Sequence, residues 1–354
     1  MNKIRNSKFE IRNYRKILIV RLDRIGDVIL STPVIKALRD AYPDSRIAFM
    51  ASPHAREILE GNPYLDEVII YDKLGKQKGL IGNLKFIAKL RRKKFDIAIA
   101  LHPTARTHQV ISMAGIPERI GYDKKLGFLL TKRMPHTKQF GLKHEIEYAL
   151  DMLRYIGVEP KERALYMPLS PECAERVRSM LDKYGVKDAD KIAVINPSAS
   201  CPSKRWSAER FAKVADELIE KRGMKVIMIS SKADAIYAGR TASFMNKPCI
   251  NLLGKTSIGD LAGILSRARI LISNDSGPVH IACAVGTPAV VIFGRKDRGL
   301  SPKRWGPVGK DDVVIHKDAG CEVCRAHNCA MGFKCLAAVT ADDVLGAVDK
   351  ILNK

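Results

Sequence analysis

The sequence has few aromatic residues, comparatively few acidic residues, and no long apolar segment. Phe, Trp and Tyr make up 6% of its 354 residues. No RNP, zinc-finger or helix-turn-helix pattern accompanies its basic runs, which argues against dedicated nucleic-acid recognition. No apolar run approaches the roughly 18–20 residues that a helix needs to cross a bilayer, and the basic start, residues 1–16, lacks the apolar core of a signal peptide. We therefore expect a cytoplasmic protein whose start is either a solvated tail or a contact with anionic lipid on the inner membrane face.

The shortage of acidic residues leaves a large positive charge. The chain has 61 Lys and Arg against 38 Asp and Glu, a formal net charge of +23. Such an excess predicts an anionic partner, which can be phosphate, nucleic acid or a membrane surface. Hydrophobic residues at 46% and charged residues at 28% are normal for a globular chain and exclude wholesale disorder.

Short β-branched runs alternate with helical periods from residue 16 onward. This alternation predicts βαβ units and parallel sheets, so the fold class is α/β with doubly wound αβα layers. The length suggests two domains, because about 100–200 residues per domain is usual. A polar, proline-containing segment around residue 160 interrupts the alternation, which predicts domains at 1–160 and 161–354. The last helix, about residues 340–353, is expected to pack back on the first domain.

The loop after the first strand, residues 21–33, is the first candidate site. It contains no G-x-G-x-x-G, so the dinucleotide fingerprint is absent. Asp27 follows a glycine at the start of a helix. Two interpretations are open: Asp27 caps that helix, the commonest use of Asp there, or it is a general base. The spacing alone favours the cap.

Two loops in the second half form the next candidate. Residues 196–206 present hydroxyls and Lys204, which suit a diphosphate, although a solvated loop with surface cations has the same composition. In residues 272–294 a strand runs into Asp275 and Ser276, which could cap the following helix, and His280 lies one turn inside. Since ligands of open α/β sheets bind at the carboxyl ends of strands, the two loops together predict a nucleotide-diphosphate pocket.

Four of the eight cysteines are spaced C-x2-C-x4-C-x5-C, at Cys321, Cys324, Cys329 and Cys335. Four thiolates can hold zinc or an iron–sulfur cluster. The gaps match no common pair of CxxC units, however, and short gaps strain a single tetrahedral site. The spacing favours a reduced or conditionally disulfide-linked loop, so no metal is expected there.

Three segments taken together resemble one family. They are ILIVRLDRIGDVILSTPVIKALRDAYP, NPSASCPSKRWSAERFAKVADEL and ISNDSGPVHIACAVGTPAVVIFG, and their order along residues 16–350 resembles that of the ADP-heptose:lipopolysaccharide heptosyltransferases, glycosyltransferase family 9. The resemblance implies the GT-B fold, in which two Rossmann-like domains face each other across a cleft. It also implies an acceptor site in the first domain, a nucleotide-sugar site in the second, and transfer with inversion that needs neither a cofactor nor a bound metal.

The resemblance assigns roles by position. Asp27 becomes the base that deprotonates the acceptor hydroxyl, which reverses the preference for a cap. The acceptor implied is anionic, the Kdo and phosphate groups of lipid A or a heptosyl core. The implied donor-binding residues are Ser198, Ser200, Lys204, Thr256, Asp275, Ser276, Gly277 and His280. Candidate contacts to the acceptor are Arg24, Arg106 and Lys124.

Competing functions remain open on the sequence. A GT-B sugar isomerase of the UDP-GlcNAc 2-epimerase type would use the same two domains without an acceptor. Another member of the same family could use a different nucleotide sugar. A non-catalytic anion-binding protein would bind nucleic acid or lipid in a salt-dependent way and ignore nucleotide sugars.

Overall fold

The computed structural model describes residues 13–354. Most of the basic start, for which a lipid contact was considered, therefore lies outside the described residues. The chain divides into two compact units, the first comprising residues up to 138 and 145–168, the second residues 139–144 and 169–354. The sequence placed the boundary at 160, whereas this division places it after 168 and assigns residues 139–144 to the second unit.

The first unit is built on a six-stranded parallel sheet with helices between the strands. Its strands are β1 (Lys16–Arg21), β2 (Arg46–Ala51), β3 (Glu67–Ile70), β4 (Ile97–Ala100), β5 (Glu118–Tyr122) and β6 (Lys132–Met134). Its helices are α1 (Ile25–Ile29), α2 (Thr32–Ala41), α3 (Arg56–Leu59), α4 (Leu80–Arg92), α5 (Ala105–Met113) and α6 (Glu145–Arg154). The strand order is β3-β2-β1-β4-β5-β6, the Rossmann order 3-2-1-4-5-6, in which ligands bind where the order reverses, between β1 and β4.

The second unit repeats this topology. Its strands are β7 (Ile192–Asn196), β8 (Lys225–Ser230), β9 (Ile250–Leu253), β10 (Ile270–Asn274), β11 (Ala289–Ile292) and β12 (Val313–Ile315). Its helices are α7 (Pro171–Asp182), α8 (Ala208–Glu220), α9 (Ala235–Phe244), α10 (Ile258–Arg267), α11 (Gly277–Val285), α12 (Pro302–Trp305), α13 (Lys334–Ala337) and α14 (Ala341–Leu352). The order β12-β11-β10-β7-β8-β9 reverses between β7 and β10. The predicted α/β class with two Rossmann-like αβα layers is confirmed.

The central strands are apolar throughout because both faces of each sheet are covered. In β4, IAIA, and in β11, AVVI, every residue is buried, as expected for parallel strands between two helical layers. Helix α8 instead alternates apolar and charged faces, and its Phe211, Val214 and Leu218 pack into the core of the second unit. This two-sided covering leaves only the strand ends and the loops that follow them available for ligands.

The last helix belongs to the core of the second unit. Val344, Val348 and Ile351 of α14 pack in the same cluster as Trp206 and Phe211. Arg222 at the end of α8 donates two hydrogen bonds of 2.8 Å to Asp349. The apolar face of this helix thus packs on β11 and α8, and its expected packing on the first domain stays a prediction.

The elements that the sequence did not predict include one long helix and two edge strands. Helix α7 lies where a linker was expected to continue, although Ser170 caps it and Pro171 occupies its first turn. The strands β6 and β12 have three residues each and lie at sheet edges, where half-exposed sequences carry little strand signal. Within residues 13–354, no helix is long and apolar enough to cross a membrane.

Candidate functional site

A buried arginine organises the carboxyl edge of the first sheet. Arg21, the last residue of β1, is 1% exposed. Its Nη2 donates to Asp27 Oδ1 at 2.7 Å and to Glu145 Oε1 at 3.1 Å, and its Nε lies 3.0 Å from Asp23 Oδ2. Lys138 Nζ also donates to Glu145, at 2.6 Å. A buried charge must be paired to be tolerated, and here two cations share three carboxylates, which leaves one negative charge in excess.

The titration behaviour of this cluster follows from burial and charge. Burial alone lowers the pKa of Arg21, but the carboxylates of Asp27, Asp23 and Glu145 outweigh it, so the pKa is raised and the guanidinium stays charged. The pKa of Asp23 is raised, first by burial and then by the charge of Asp27, despite the opposing effect of Arg21. Arg21 thus stays charged, whereas the raised pKa of Asp23 opposes the ionisation of that carboxyl.

Asp27 does not cap a helix. The N-cap of α1 is Arg24, and Asp27 lies in the first turn. Among the described residues, Arg21 is the only hydrogen-bonding partner of its carboxylate, through Oδ1. The side chain is 16% exposed, and the described residues show no hydrogen bond to its Oδ2. The cap interpretation is therefore wrong, because the carboxylate points to the arginine and not to the helix amides.

His102 is a neighbour of this cluster that the sequence analysis did not identify. It follows β4, and its Nδ1 lies 3.2 Å from Asp23 Oδ2. Burial, together with the positive charges of Arg21 and Lys138, lowers the pKa of His102 to about 4. The imidazole is therefore neutral at neutral pH, and with Nδ1–H towards Asp23 it offers Nε2 as an acceptor. Its only sequence signal was its position at the carboxyl end of a buried strand.

The three predicted acceptor contacts lie on the same edge of the first sheet. Arg24 follows β1, Arg106 lies in α5 after β4, and Lys124 follows β5, and these three strands are neighbours with parallel directions. Arg24 and Lys124 are exposed, whereas Arg106 donates a hydrogen bond of 3.1 Å to the carbonyl of Lys73. Their contact with an acceptor stays a prediction.

The second sheet carries a cluster of opposite charge at the equivalent edge. Asp275 follows β10, is 5% exposed, and its Oδ2 accepts from Arg295 Nη2 at 2.5 Å and lies 3.1 Å from Lys204 Nζ. Arg295 follows β11 and is 3% exposed, and its Nε has no hydrogen-bond partner among the described residues. One carboxylate thus holds two cations, which leaves one positive charge beside the start of α11.

Two asparagines fix the loops of this second cluster. Asn196, the last residue of β7, donates to the hydroxyls of Ser273 at 3.0 Å and Ser276 at 2.8 Å, and accepts from Ser198 at 2.7 Å. Asn274 accepts from the backbone N–H of Trp206 at 3.0 Å and donates to Pro197 O at 2.7 Å. The loops after β7 and β10 are therefore held together, as the sequence analysis required for a common pocket.

The start of α11 is left without a side-chain cap. Ser276 is the N-cap by position but makes no cap hydrogen bond, because its hydroxyl donates to Asn274 O at 3.1 Å. The carboxylate of Asp275 instead pairs with Lys204 and Arg295. The expected capping by these two side chains is thus wrong. Uncapped N–H groups and the helix dipole favour an anion at this end.

The other predicted donor contacts are placed as follows. Ser200 is exposed, Gly277 begins α11, and His280 is buried within that helix. Thr256 is half-buried directly before Ser257, which caps α10 together with Asp260. Their contacts with a nucleotide sugar stay predictions.

The four clustered cysteines line one cavity of about 440 Å³ in the second unit, together with His316 and Asp318. All are unpaired thiols, and Cys335 Sγ donates to Gly294 O at 2.6 Å. Burial raises the pKa of the Cys335 thiol, and the neighbouring Cys329 and Cys324 raise it further. Across residues 13–354, no group of three or more His, Cys, Asp or Glu is arranged to hold a metal ion.

The charge cluster of the second sheet, together with Lys138 and Glu145 of the first, lies in a segment that matches a known protein family. The model of glycosyltransferase family 9 (heptosyltransferase) matches residues 83–334. The chain belongs to glycosyltransferase family 9. The resemblance stated from the sequence is thereby confirmed, and the family identifies the chain as a glycosyltransferase.

Individual family 9 proteins are similar over nearly the whole chain. Lipopolysaccharide heptosyltransferase 3 of Escherichia coli strain K12 is 28% identical over 92% of this chain and 95% of its own length. A solved family 9 glycosyltransferase from Veillonella parvula is 28% identical and superposes with a TM-score of 0.88 over 96% of this chain and 98% of its own. The structure of E. coli ADP-heptose LPS heptosyltransferase II superposes with a TM-score of 0.78 at 23% identity, over 96% and 98% of the two chains. The GT-B class expected for a family 9 enzyme is confirmed by these folds.

Proposed function

We propose that this protein transfers a heptose from ADP-heptose to the inner core of lipopolysaccharide, with inversion at the anomeric carbon and with Asp27 as the general base. The observation that carries the proposal is the pair of opposite charge clusters. Each lies at the carboxyl edge of a Rossmann sheet where the strand order reverses. The similarity to lipopolysaccharide heptosyltransferase 3 and to ADP-heptose LPS heptosyltransferase II supports this choice of donor and acceptor.

In the proposed reaction the first unit activates the acceptor. The Oδ2 of Asp27 takes the proton of the acceptor hydroxyl as its oxygen bonds to the anomeric carbon of the donor. Arg21 holds Oδ1 at 2.7 Å and so fixes the direction of the other oxygen. A positioned base of this kind contributes about 10²–10⁴ in rate.

The second unit would bind the leaving group. As the new bond forms, the bond between the anomeric carbon and the β-phosphate oxygen breaks, and ADP leaves with the electron pair. Lys204, Arg295 and the amides at the start of α11 would stabilise the charge that develops on the diphosphate. One such donor is typically worth about 10²–10³ in rate, so we propose that these groups act without a bound metal or cofactor.

We further propose that the acceptor is anionic and lipid-linked, so that the enzyme works at the cytoplasmic face of the inner membrane. The net charge of +23 and the exposed Arg24 and Lys124 suit Kdo carboxylates and lipid A phosphates. Peripheral contact with the membrane follows from such an acceptor, because its lipid part stays in the bilayer.

The decisive experiment incubates the protein with ADP-heptose and a Kdo-lipid A acceptor and follows the acceptor by mass spectrometry. A gain of one heptose, with release of ADP, is expected. An epimerised sugar nucleotide with no transfer would replace this proposal with the isomerase, and binding that ignores nucleotide sugars would replace it with an anion-binding protein.

Asp27→Asn tests the base directly. The amide oxygen can still accept from Arg21, so the fold and ADP binding should be kept while turnover falls by about 10²–10⁴. The control is Asp40→Asn, at a carboxylate that pairs with Lys36 on the surface of α2 and should leave turnover unchanged. Full activity of Asp27→Asn would remove this residue from the mechanism.

A further inference from the structure

Large apolar side chains are exposed together around the start of α4. Leu74 and Leu80 are both 74% exposed, Ile81 is 71% exposed, and Leu84 is 44% exposed. Scattered single apolar residues on a surface are normal, whereas a contiguous group marks a contact with another apolar phase. We therefore expect these exposed aliphatic side chains to contact a partner.

Three of these residues lie on one face of α4. At about 100° per residue, Leu80, Ile81 and Leu84 share the outer face as neighbours at spacings of three and four. The adjoining face packs into the core of the first unit through Ile87 and Leu90, and Ile87 lies only about 20° around the helix from Leu80. A helix on the surface of a water-soluble domain normally has charged residues where α4 has these three aliphatic ones.

The preceding turn lies against the start of this helix. A Cβ at Gly82 would collide with the carbonyl oxygen of Lys76, so only glycine allows the turn at residues 72–78 to pack this closely. The turn is fixed by Asp72, whose Oδ1 accepts from the backbone N–H groups of Leu74 and Gly75 at 3.2 and 2.8 Å. Leu74 is thus presented on a defined loop next to the helix.

Unmatched positive charge lies on the neighbouring side of α4. Lys76, Lys85 and Lys89 line a groove of about 610 Å³ between α4 and the edge strand β3. Glu67 in this groove is already paired with Lys93 at 2.5 Å and with Arg46 at 3.3 Å. Within the described part of the chain, the three lysines form no ion pair, so their charge is available to a partner.

We propose that the outer face of α4 and the turn before it form a docking surface for an anionic phospholipid bilayer. Leu80, Ile81 and Leu84 enter the boundary between headgroups and acyl chains, while Lys85 and Lys89 contact the phosphates. Aliphatic tips bordered by lysines suit this interface, which is apolar inside and negatively charged outside. The proposal names the membrane-contact surface of the proposed function, but its evidence is independent of any transfer reaction.

The test measures co-sedimentation of the full-length protein with vesicles. Wild-type protein should bind mixed phosphatidylcholine–phosphatidylglycerol vesicles, bind pure phosphatidylcholine far less, and be released by salt. The triple variant Leu80→Gln, Ile81→Gln, Leu84→Gln should bind the mixed vesicles at least about tenfold more weakly. Lys85→Gln and Lys89→Gln should each weaken binding about fivefold.

The matched control is Ile236→Gln on α9, an aliphatic residue 90% exposed that lies away from α4 along the chain, in the second unit. It should bind vesicles like the wild type. Equal binding of the triple variant and the wild type, or no binding of the wild type to the mixed vesicles, would overturn the proposal. So would vesicle binding lost equally in the control.

Activity on a delipidated, water-soluble core acceptor separates this proposal from the proposed function. The triple variant should keep wild-type turnover on that acceptor, because none of its three residues lies in the charge clusters. If neither protein shows transfer but vesicle binding still depends on α4, the proposed function fails and the docking surface stands.

Discussion

At the scale of single residues, the two charge clusters differ in the sign of the buried charge at their centre. In the first unit a buried cation, Arg21, gathers carboxylates, whereas in the second a buried carboxylate, Asp275, gathers Lys204 and Arg295. An isolated charge of either kind would not be tolerated in these positions. Each central charge is over-compensated by its partners, so one cluster is left negative and the other positive. The first suits proton abstraction and the second suits an anion.

The Arg295→Met variant tests the second cluster. Arg295 is almost fully buried and has an Nε without a hydrogen-bond partner among the described residues, a donor that a diphosphate would satisfy. Hydrogen bonds to charged groups contribute about 1.5–3 kcal/mol, so the Kd for ADP should rise about 10–100-fold. Isothermal titration calorimetry measures this directly.

Arg222→Met is the matched control for that variant. Its guanidinium lies in the same unit but pairs with Asp349 of the last helix, so the substitution should leave the Kd for ADP unchanged. Equal ADP affinity of Arg295→Met and wild type would show that Arg295 only neutralises Asp275. Melting temperatures of both variants separate a loss of binding from a loss of fold.

Local motifs located Asp27, Lys204 and Asp275, because a strand, a polar loop and a helix start follow one another in the sequence. They did not show what these side chains contact. Glu145 is far along the chain from Arg21, and Arg295 follows a different strand from Lys204. Such contacts arise only once the strand order is known, which is why Arg295 and His102 were missed and Asp27 was first interpreted as a cap.

At the scale of elements, the strength of the hydrophobic pattern decided which helices and strands could be predicted from the sequence. Strand β1 is almost continuously apolar and helix α8 is strongly amphipathic, so both contribute clearly to the alternation from which the α/β class was predicted. Helix α7 was missed although Ser170 and Pro171 are a normal helix start. The segment before α7 is polar and contains proline, which favours a linker, and this composition outweighed the helix start at Ser170.

The cysteine segment between β12 and α14 gives a prediction at this scale. The thiol of Cys335 has a raised pKa and donates to a backbone carbonyl, whereas a metal requires thiolates. We expect protein purified without chelators to contain well under one metal ion per chain by elemental analysis. All eight thiols should titrate after denaturation. One zinc or iron–sulfur cluster per chain, lost in Cys324→Ser but kept in Cys249→Ser, would contradict this.

At the scale of the whole molecule, two Rossmann sheets of identical order present opposite charge at the same topological position. The loops after β1 and β4 carry the acidic cluster, and those after β7, β10 and β11 carry the basic one. This duplication was predictable from the alternation of strands and helices. The assignment of residues 139–144 to the second unit was not, because only tertiary contacts reveal it.

The proposed assignment of the nucleotide to the second unit can be tested by hydrogen exchange with and without ADP. A ligand stabilises the region that binds it, by about 2.7 kcal/mol at a concentration of 100 times its Kd. Amides in residues 196–206 and 275–280 should therefore become protected, while those in residues 22–31 and 101–106 exchange as before. The Asp275→Asn variant, which loosens the hold on Lys204 and Arg295, should reduce this protection. Asp216→Asn should not, because that carboxylate of α8 accepts from the backbone N–H groups of Asn246 and Lys247 and lies outside both charge clusters. Protection confined to the loops of the first unit would place the nucleotide there and reverse the proposed roles of Asp27 and Lys204.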